Sequence, residues 1–263
     1  MKFIFTGSTS DSFKAFSKIL VQKNLPYEPL LNKEGGLWRF FDEIASEQFI
    51  EPFVIVHLAH TNKKSNEDSL SDNEIGTKLL LDQLNNYPLI NFFYISSVAA
   101  NGLSIYGSIK KKTEDLLQNF SRIHIIRCGI LQHNNKVFGK WRRYFNFIRK
   151  FRFMIIPKHS RVLYEVTSIE SVIVVILQHL TCTKNCKYIV QNEIRTDLIT
   201  ILNLNLHKKF LLIRVRDRFL LNIILFLGKY YKFKVPAESL KNIYFPQLTV
   251  KSDKDYEEFK VAN

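Results

Sequence analysis

The sequence predicts an α/β fold: a doubly wound, mostly parallel sheet with helices on both faces and a small lobe toward its carboxyl terminus. Three observations carry that expectation. Apolar runs of strand length (KFIFTG, PFVIVHLAH, INFFYISS and RIHIIRCGIL) are continuous, as in strands buried on both faces. Segments with apolar residues at helical spacing separate them. The two kinds alternate along the chain, the order of a βαβ series whose ligand crevice lies at the carboxyl ends of its strands.

The elements follow in turn. KFIFTG ends in Thr6 and Gly7, and DSFKAFSKILVQKN after it repeats Phe13, Phe16, Ile19 and Leu20 at helical spacing. YEPLL reads as a second strand. PFVIVHLAH reads as a buried parallel strand with a helix before it and another, Asn73 to Leu84, after it. INFFYISS is the next strand, YGSIKKKTEDLLQNF the next helix, and RIHIIRCGIL the strand after that. Beyond Gly139 the texture changes to the basic, aromatic GKWRRYFNFIRKFRFMIIP, followed by a strand and helix in VLYEVTSIESVIVVILQHL, a short strand KYIVQ, a helix-like TDLITILNLNL and the apolar RFLLNIILFLGKYYKFK. Residues 1–137 are expected to form the core. Residues 138–263 are expected to fold onto it as a substrate-side lobe of the same structural unit.

A chain of 263 residues that is 46% hydrophobic buries a substantial core and is no disordered tail. Its 38 Lys and Arg against 24 Asp and Glu give a net charge of +14, which favours anionic partners. An abundance of Lys, Asn, Ile and Phe is equally the mark of an AT-rich coding sequence, so charge alone does not choose the partner. Cys128, Cys182 and Cys186, with no apolar leader before Phe3, do not make a secreted disulfide framework, and the cytoplasm is the expected compartment. Cys182 and Cys186 supply at most half a zinc site and read as ordinary thiols; no metal is expected. No apolar run reaches the ~18 residues that a spanning helix needs.

The chemistry concentrates in ISSVAANG followed by YGSIK. In this order the segments resemble the extended short-chain dehydrogenase/reductases, the NAD-dependent epimerase/dehydratase group that modifies nucleotide sugars. VIVHLAH resembles that family's fourth strand, and Asn73, Gly76 and Thr77 fall as NxxGT at its following helix. IIRCGIL resembles the RPxxV strand, with Cys128 in place of the proline. These ordered matches span roughly residues 1 to 131, and a weaker likeness continues through LYEVTSIESVIVVIL.

The resemblance implies a Rossmann-like fold with Ser97, Tyr106 and Lys110 as catalytic residues. Tyr and Lys four apart on a helix share a face. An ammonium beside a phenol that titrates near ~10 lowers its pKa, so Tyr106 would exchange a proton with a substrate oxygen that Ser97 also binds. NAD or NADP, with the preference unreadable, would lie near Gly7, Thr9, Ser10, Leu58, Ala59, His60, Asn73, Tyr106 and Lys110.

Two departures stand out. The family's TGxxGxxG reads TGSTSDSF here, with Ser10 and Phe13 for the second and third glycines; a phenylalanine there must push the helix away or turn its ring elsewhere. The loop from Ser97 to Tyr106 is also short, 106 − 97 = 9 residues. Two expectations follow equally: a more open site, or a lid taken from the basic stretch between Lys140 and Arg161. That stretch reads as an amphipathic helix, as a diphosphate clamp with Arg161 foremost, or as a nucleic-acid surface, for which no recognised module speaks.

The implied function is a nucleotide-sugar epimerase or ketoreductase in the synthesis of bacterial surface polysaccharide (O-antigen or capsule). Dehydration is the least expected reaction, because Val98 and Ala99 follow Ser97 where an acid and base pair would stand. Two other readings stay open: a binding or regulatory module without turnover, favoured by the altered glycine loop, and an enzyme at the inner membrane face that meets a lipid-linked sugar through residues 218–234. The helices Asn73 to Leu84 and Tyr106 to Phe120 resemble the family's dimer-forming pair, so a homodimer with Leu79, Leu80, Leu116 and Leu117 in its contacts is expected.

Overall fold

The computed structural model describes residues 1–30, 49–60, 66–101, 104–138, 140–157, 163–192, 196–206, 211–216, 219, 222 and 257–261. The helix expected before PFVIVHLAH, residue Arg161 and all of 218–234 except Phe219 and Asn222 lie outside them.

The first half of the chain alternates as expected: β1 (Lys2–Thr6), α1 (Asp11–Gln22), β2 (Tyr27–Pro29), β3 (Phe53–His57), α2 (Asn66–Leu84), β4 (Leu89–Ser97), a 3-10 turn (Val98–Asn101), α3 (Ile105–Leu117) and β5 (Ile123–Cys128). Helix α2 starts at Asn66, earlier than the Asn73 read from the sequence. The second half holds β6 (Ile130–His133), β7 (Lys136–Val137), α4 (Lys140–Phe151), β8 (Phe153–Pro157), β9 (Leu163–Tyr164), β10 (Val166–Ser168), α5 (Ile169–Gln178), β11 (Cys186–Asn192), β12 (Thr196–Asp197), α6 (Leu198–Leu206), β13 (Leu211–Val215) and β14 (Glu257–Val261).

Seven strands make one sheet in the order β14-β11-β5-β4-β3-β1-β2, and every pairing in it is parallel. From β1 the chain runs outward to β2, then crosses to the other side to lay down β3. That reversal makes the crevice of a doubly wound sheet.

Strand periodicity sorts the core into two layers. Phe3, Phe5, Val54, Val56, Phe93, Ile95 and Ile126 face α1 and α5, while Ile4, Phe53, Ile55, Phe92, Tyr94, Ile123 and Ile125 face α2 and α3. Because both faces are covered, the strands read as continuous apolar runs. A separate core gathers Trp141, Tyr144, Phe145 and Ile148 of α4 with Met154, Ile156, Tyr164, Leu198, Ile201 and Leu202. The part of the basic stretch in α4 forms the amphipathic helix expected of it, with Arg142, Arg149 and Lys150 exposed.

The segment after residue 137 is divided between two structures. α4, β8 and α6 build the separate core, whereas α5, β11 and β14 complete the main sheet. Gly129 stands at the junction: a Cβ there would lie 2.1 Å from the Glu165 carbonyl oxygen, which accepts from Ile130 N at 2.7 Å.

One polar assembly lies inside the apolar layer under α3. Arg127 of β5 donates to Glu114 of α3 through Nε (3.0 Å) and Nη2 (2.6 Å), and Ser96 of β4 donates to the same carboxylate. Both charged side chains are fully buried. A bidentate geometry with a third donor is what such a pair needs to offset its desolvation. Glu114→Ala would strand the guanidinium and is expected to cost about 3–5 kcal/mol. Chemical denaturation of the variant reads that cost; a loss under about 1 kcal/mol would mean that water reaches Arg127.

Candidate active site

The carboxyl ends of β1, β3 and β4 converge on one place. Gly7 leaves β1 with φ +72°, and a Cβ on it would lie 2.9 Å from Ala59 N, so conformation and close approach both call for glycine. Ser10 caps α1: its hydroxyl accepts from Phe13 N at 3.1 Å. The Phe13 ring settles the alternative left by the sequence. It turns sideways, packing edge-on to Phe5 at 5.6 Å and to Tyr27 at 6.2 Å, and fills the space between α1 and the first two strands. Thr9 is exposed in the same loop. Asp11, in the first turn of α1, pairs with Arg142 of α4, which brings the basic helix over the loop.

Below this loop runs a hydrogen-bonded chain that the sequence reading missed. Ala59 N donates to Thr6 Oγ1 at 3.1 Å, and that hydroxyl lies 2.9 Å from His57 Nδ1. His57 Nε2 lies 3.2 Å from Thr77 Oγ1, which donates to the Asn73 carbonyl at 2.6 Å. One assignment satisfies every group: Thr6 donates to Nδ1, and Nε2–H donates to Thr77. Burial, aided by Lys110 and His60, pushes the His57 pKa down to about 3, so the ring is neutral. The signal was present in HLAH and NxxGT, whose polar residues interrupt buried elements and so required partners. Asn73 is itself buried, and Leu58, Ala59 and His60 lead from β3 into the site.

The last strand residue and the next helix supply Ser97 and Tyr106, the pair that the resemblance implies is catalytic. Ser97 ends β4, and its hydroxyl accepts from Ala99 N at 3.2 Å and hydrogen-bonds the Tyr106 phenol. Helix α3 begins beside it, capped by Ser104. A Cβ on Gly107 would fall 1.9 Å from the Ala99 oxygen, so glycine after Tyr106 lets the helix start against the 3-10 turn. His60 stands edge-on to the phenol at 4.9 Å. Ser97, Tyr106 and His60 thus meet at one point.

Lys110 goes elsewhere. Its ammonium donates to the Ile95 carbonyl at 3.0 Å and lies 4.6 Å above the Tyr94 ring. Burial pulls its pKa down to about 8, against the opposing pull of Glu114 and Cys128. The expected lowering of the phenol's pKa by Lys110 is not met in this geometry. Burial pushes Tyr106 up to about 12, partly opposed by the Ser97 hydrogen bond and reinforced by Cys128, so the phenol holds its proton at neutral pH. Cys128, level with Ser97 across β4 and β5, is likewise pushed up to about 12 by burial.

No family model and no curated relative matches the sequence. Solved structures share its fold at low identity. RMD of Pseudomonas aeruginosa, solved with NADPH, has a TM-score of 0.64 at 16% identity over 81% of this chain and 87% of its own. A short-chain dehydrogenase/reductase superfamily protein from Agrobacterium tumefaciens, with bound NAD, has a TM-score of 0.61 at 15% identity over 82% and 85%. UDP-glucose 4-epimerase of Thermotoga maritima, solved with UDP-glucose, has 0.59 at 14% over 82% and 87%. The chain shares the Rossmann-like α/β fold of these structures.

Two imidazoles buried in the sheet, His57 under the site and His124 in β5, are held neutral, and this makes the fold acid-sensitive. A histidine whose folded pKa lies below its unfolded value binds a proton on unfolding. Its stabilising effect is complete above the unfolded pKa of 6.5 and is lost as pH falls toward about 3 for His57 and about 4 for His124. At pH 5 the term for His57 alone is about 2 kcal/mol. Urea midpoints measured from pH 7 to 5 should fall accordingly, and His57→Gln should flatten the slope; an equal slope in parent and variant would contradict the buried neutral ring.

Proposed function

We propose that the protein is a cytoplasmic NAD(P)-dependent nucleotide-sugar ketoreductase or epimerase acting in the synthesis of a surface polysaccharide. The observation that carries this reading is the Ser97–Tyr106 pair at the carboxyl end of β4, beside the Gly7 loop of the same crevice. Solved neighbours in the same fold support it: besides those above, dTDP-4-dehydrorhamnose reductase from Bacillus anthracis was solved in complex with NADP.

The residues around the loop fit a dinucleotide in most respects. Gly7 to Ser10 and the amino terminus of α1 would face its phosphates, and Leu58, Ala59, His60 and Asn73 would flank it. Tyr106 and Lys110 stand on the far side of the crevice, where Lys110 would have to leave the Ile95 carbonyl to reach a ribose. The nicotinamide, when bound, supplies hydride exchange at a sugar carbon. Ser97 orients the sugar oxygen, and Tyr106 Oη, protonated at neutral pH, delivers its proton to that oxygen as the carbonyl is reduced. Arg161 is retained as a diphosphate clamp for the nucleotide sugar, on the strength of the resemblance alone.

A second reading, a binding module without turnover, draws on Ser10 and Phe13. The Ser10 hydroxyl is committed to capping, and the bulk of Phe13 stands where the resemblance expects a glycine. Titration calorimetry with NAD and with NADP separates the two: micromolar to millimolar binding of either supports the enzyme, and no heat from a folded sample supports the module. Given a turning substrate, Tyr106→Phe keeps the ring and should lower kcat by about 10²- to 10⁴-fold with little change in Tm. Turnover equal to the parent would remove Tyr106 from the mechanism.

We also propose a homodimer through α2 and α3, in narrower form than the sequence suggested. Leu80 and Leu117 are buried in the chain's own core, which leaves Leu79 and Leu116, both half-buried, with exposed Ile75 for the interface. Light scattering should give twice the chain mass at micromolar concentration, and Leu79→Glu with Leu116→Glu should halve it; a monomeric parent overturns the proposal.

A further inference from the structure

At the amino-terminal edge of the main sheet, away from Ser97 and Tyr106, the connection from α5 to β11 carries two thiols that the proposed function does not use. Cys182 Sγ and Cys186 Sγ lie 3.6 Å apart, and both reach the Lys184 carbonyl oxygen, at 3.7 and 3.5 Å. Each is partly exposed, whereas Cys128 is buried. We propose that Cys182 and Cys186 are a reversible dithiol–disulfide site, oxidised by small-molecule disulfides.

The connection is pinned on both sides, which fixes the spacing of its two thiols. Asn91 of β4 donates through Nδ2 to the carbonyls of His179 (3.2 Å) and Leu180 (2.6 Å). His124 of β5 donates through Nε2 to the Cys182 carbonyl at 3.2 Å. Asn185 accepts from Ile123 N at 2.9 Å and donates to the Phe120 carbonyl at 2.6 Å, just before Cys186 enters β11. With the backbone held this way, the sulfurs already face each other at 3.6 Å, against a bond of about 2.05 Å. Access is open as well. A groove of about 350 Å³ runs beside Cys182 and is lined in part by Arg122, whose charge favours an anionic reagent.

The exchange balances with the oxidant named. One cysteine thiolate attacks a sulfur of the small-molecule disulfide, forming a mixed disulfide and releasing one thiol. The second cysteine thiolate attacks the protein sulfur of that mixed disulfide and releases the second thiol. The protein loses two protons and two electrons; the reagent's S–S bond takes them and becomes two thiols.

The test incubates the native folded protein with oxidised glutathione, alkylates the remaining thiols and maps the peptides by mass spectrometry. The expected product is an internal Cys182–Cys186 bond, lighter by two hydrogens, exceeding any glutathione adduct by about tenfold or more because the second step is intramolecular. Cys128 should be alkylated only after unfolding. Cys186→Ser and Cys182→Ser should each stop at a mixed disulfide, and reductant should restore both parent thiols. Glutathione adducts without an internal bond, or thiols that stay reduced while the single variants react, would overturn the proposal. Because the site lies outside the crevice, these results do not depend on whether the proposed enzymatic activity is found.

Discussion

A carboxylate and a guanidinium with no solvent around them hold α3 to the sheet, and the position of the Tyr106 phenol depends on that contact. Glu114 lies on α3 two turns beyond Tyr106, and its two oxygens take Arg127 from β5 and Ser96 from β4. An ion pair in such a place is weak evidence for net stability, because desolvation consumes most of its attraction. Its directional value is larger. Two parallel hydrogen bonds and a third fix the rotation of the helix about its own axis, and an error of rotation would carry Tyr106 away from Ser97. The pleat of β4 then divides the work between adjacent serines: Ser96 faces the ion pair, and Ser97, at the strand's end, faces the phenol.

Much of the fold was legible because the relevant signals are local. Continuous apolar runs between amphipathic segments give the parallel strands of a covered sheet, and the alternation seen within those runs decides which residues meet α1 and α5 and which meet α2 and α3. The residues of the second half were harder. α5, β11 and β14 join the main sheet while α4, β8 and α6 do not, a division set by long-range pairing that no window of sequence contains. Gly129 marks the point of return, but its need for a missing Cβ comes from Glu165, remote in sequence.

The site was legible in its residue types and not in its electrostatics. ISSVAANG and YGSIK bring Ser97 and Tyr106 together, yet the helical spacing that puts Tyr106 and Lys110 on one face says nothing about where a four-carbon stem takes its ammonium. It takes it inward, to a backbone carbonyl and the Tyr94 ring. The buried chain Thr6–His57–Thr77 was unread for a related reason. Each residue is unremarkable alone, and the hydrogen bonds that explain all three join β1, β3 and α2, elements made adjacent by the fold.

These electrostatics bear on what a ligand has to contribute. Around the crevice His57 is neutral, Cys128 is a neutral thiol, and the Lys110 ammonium is turned toward β4, so the described surroundings do little to stabilise a phenolate. In the proposed reaction Tyr106 would accordingly begin as an acid and give up its proton only to an oxygen that is gaining negative charge. The altered glycine loop is less damaging than its spelling suggests, because Phe13 lies sideways against Phe5 and Tyr27 and leaves Gly7 free to turn against Ala59. What it adds is the Asp11 carboxylate at the mouth of α1, a charge that opposes any phosphate arriving there. Arg142 offsets that charge from the separate core, so the electrostatic fitness of the crevice is set jointly by two parts of the chain that share no local sequence.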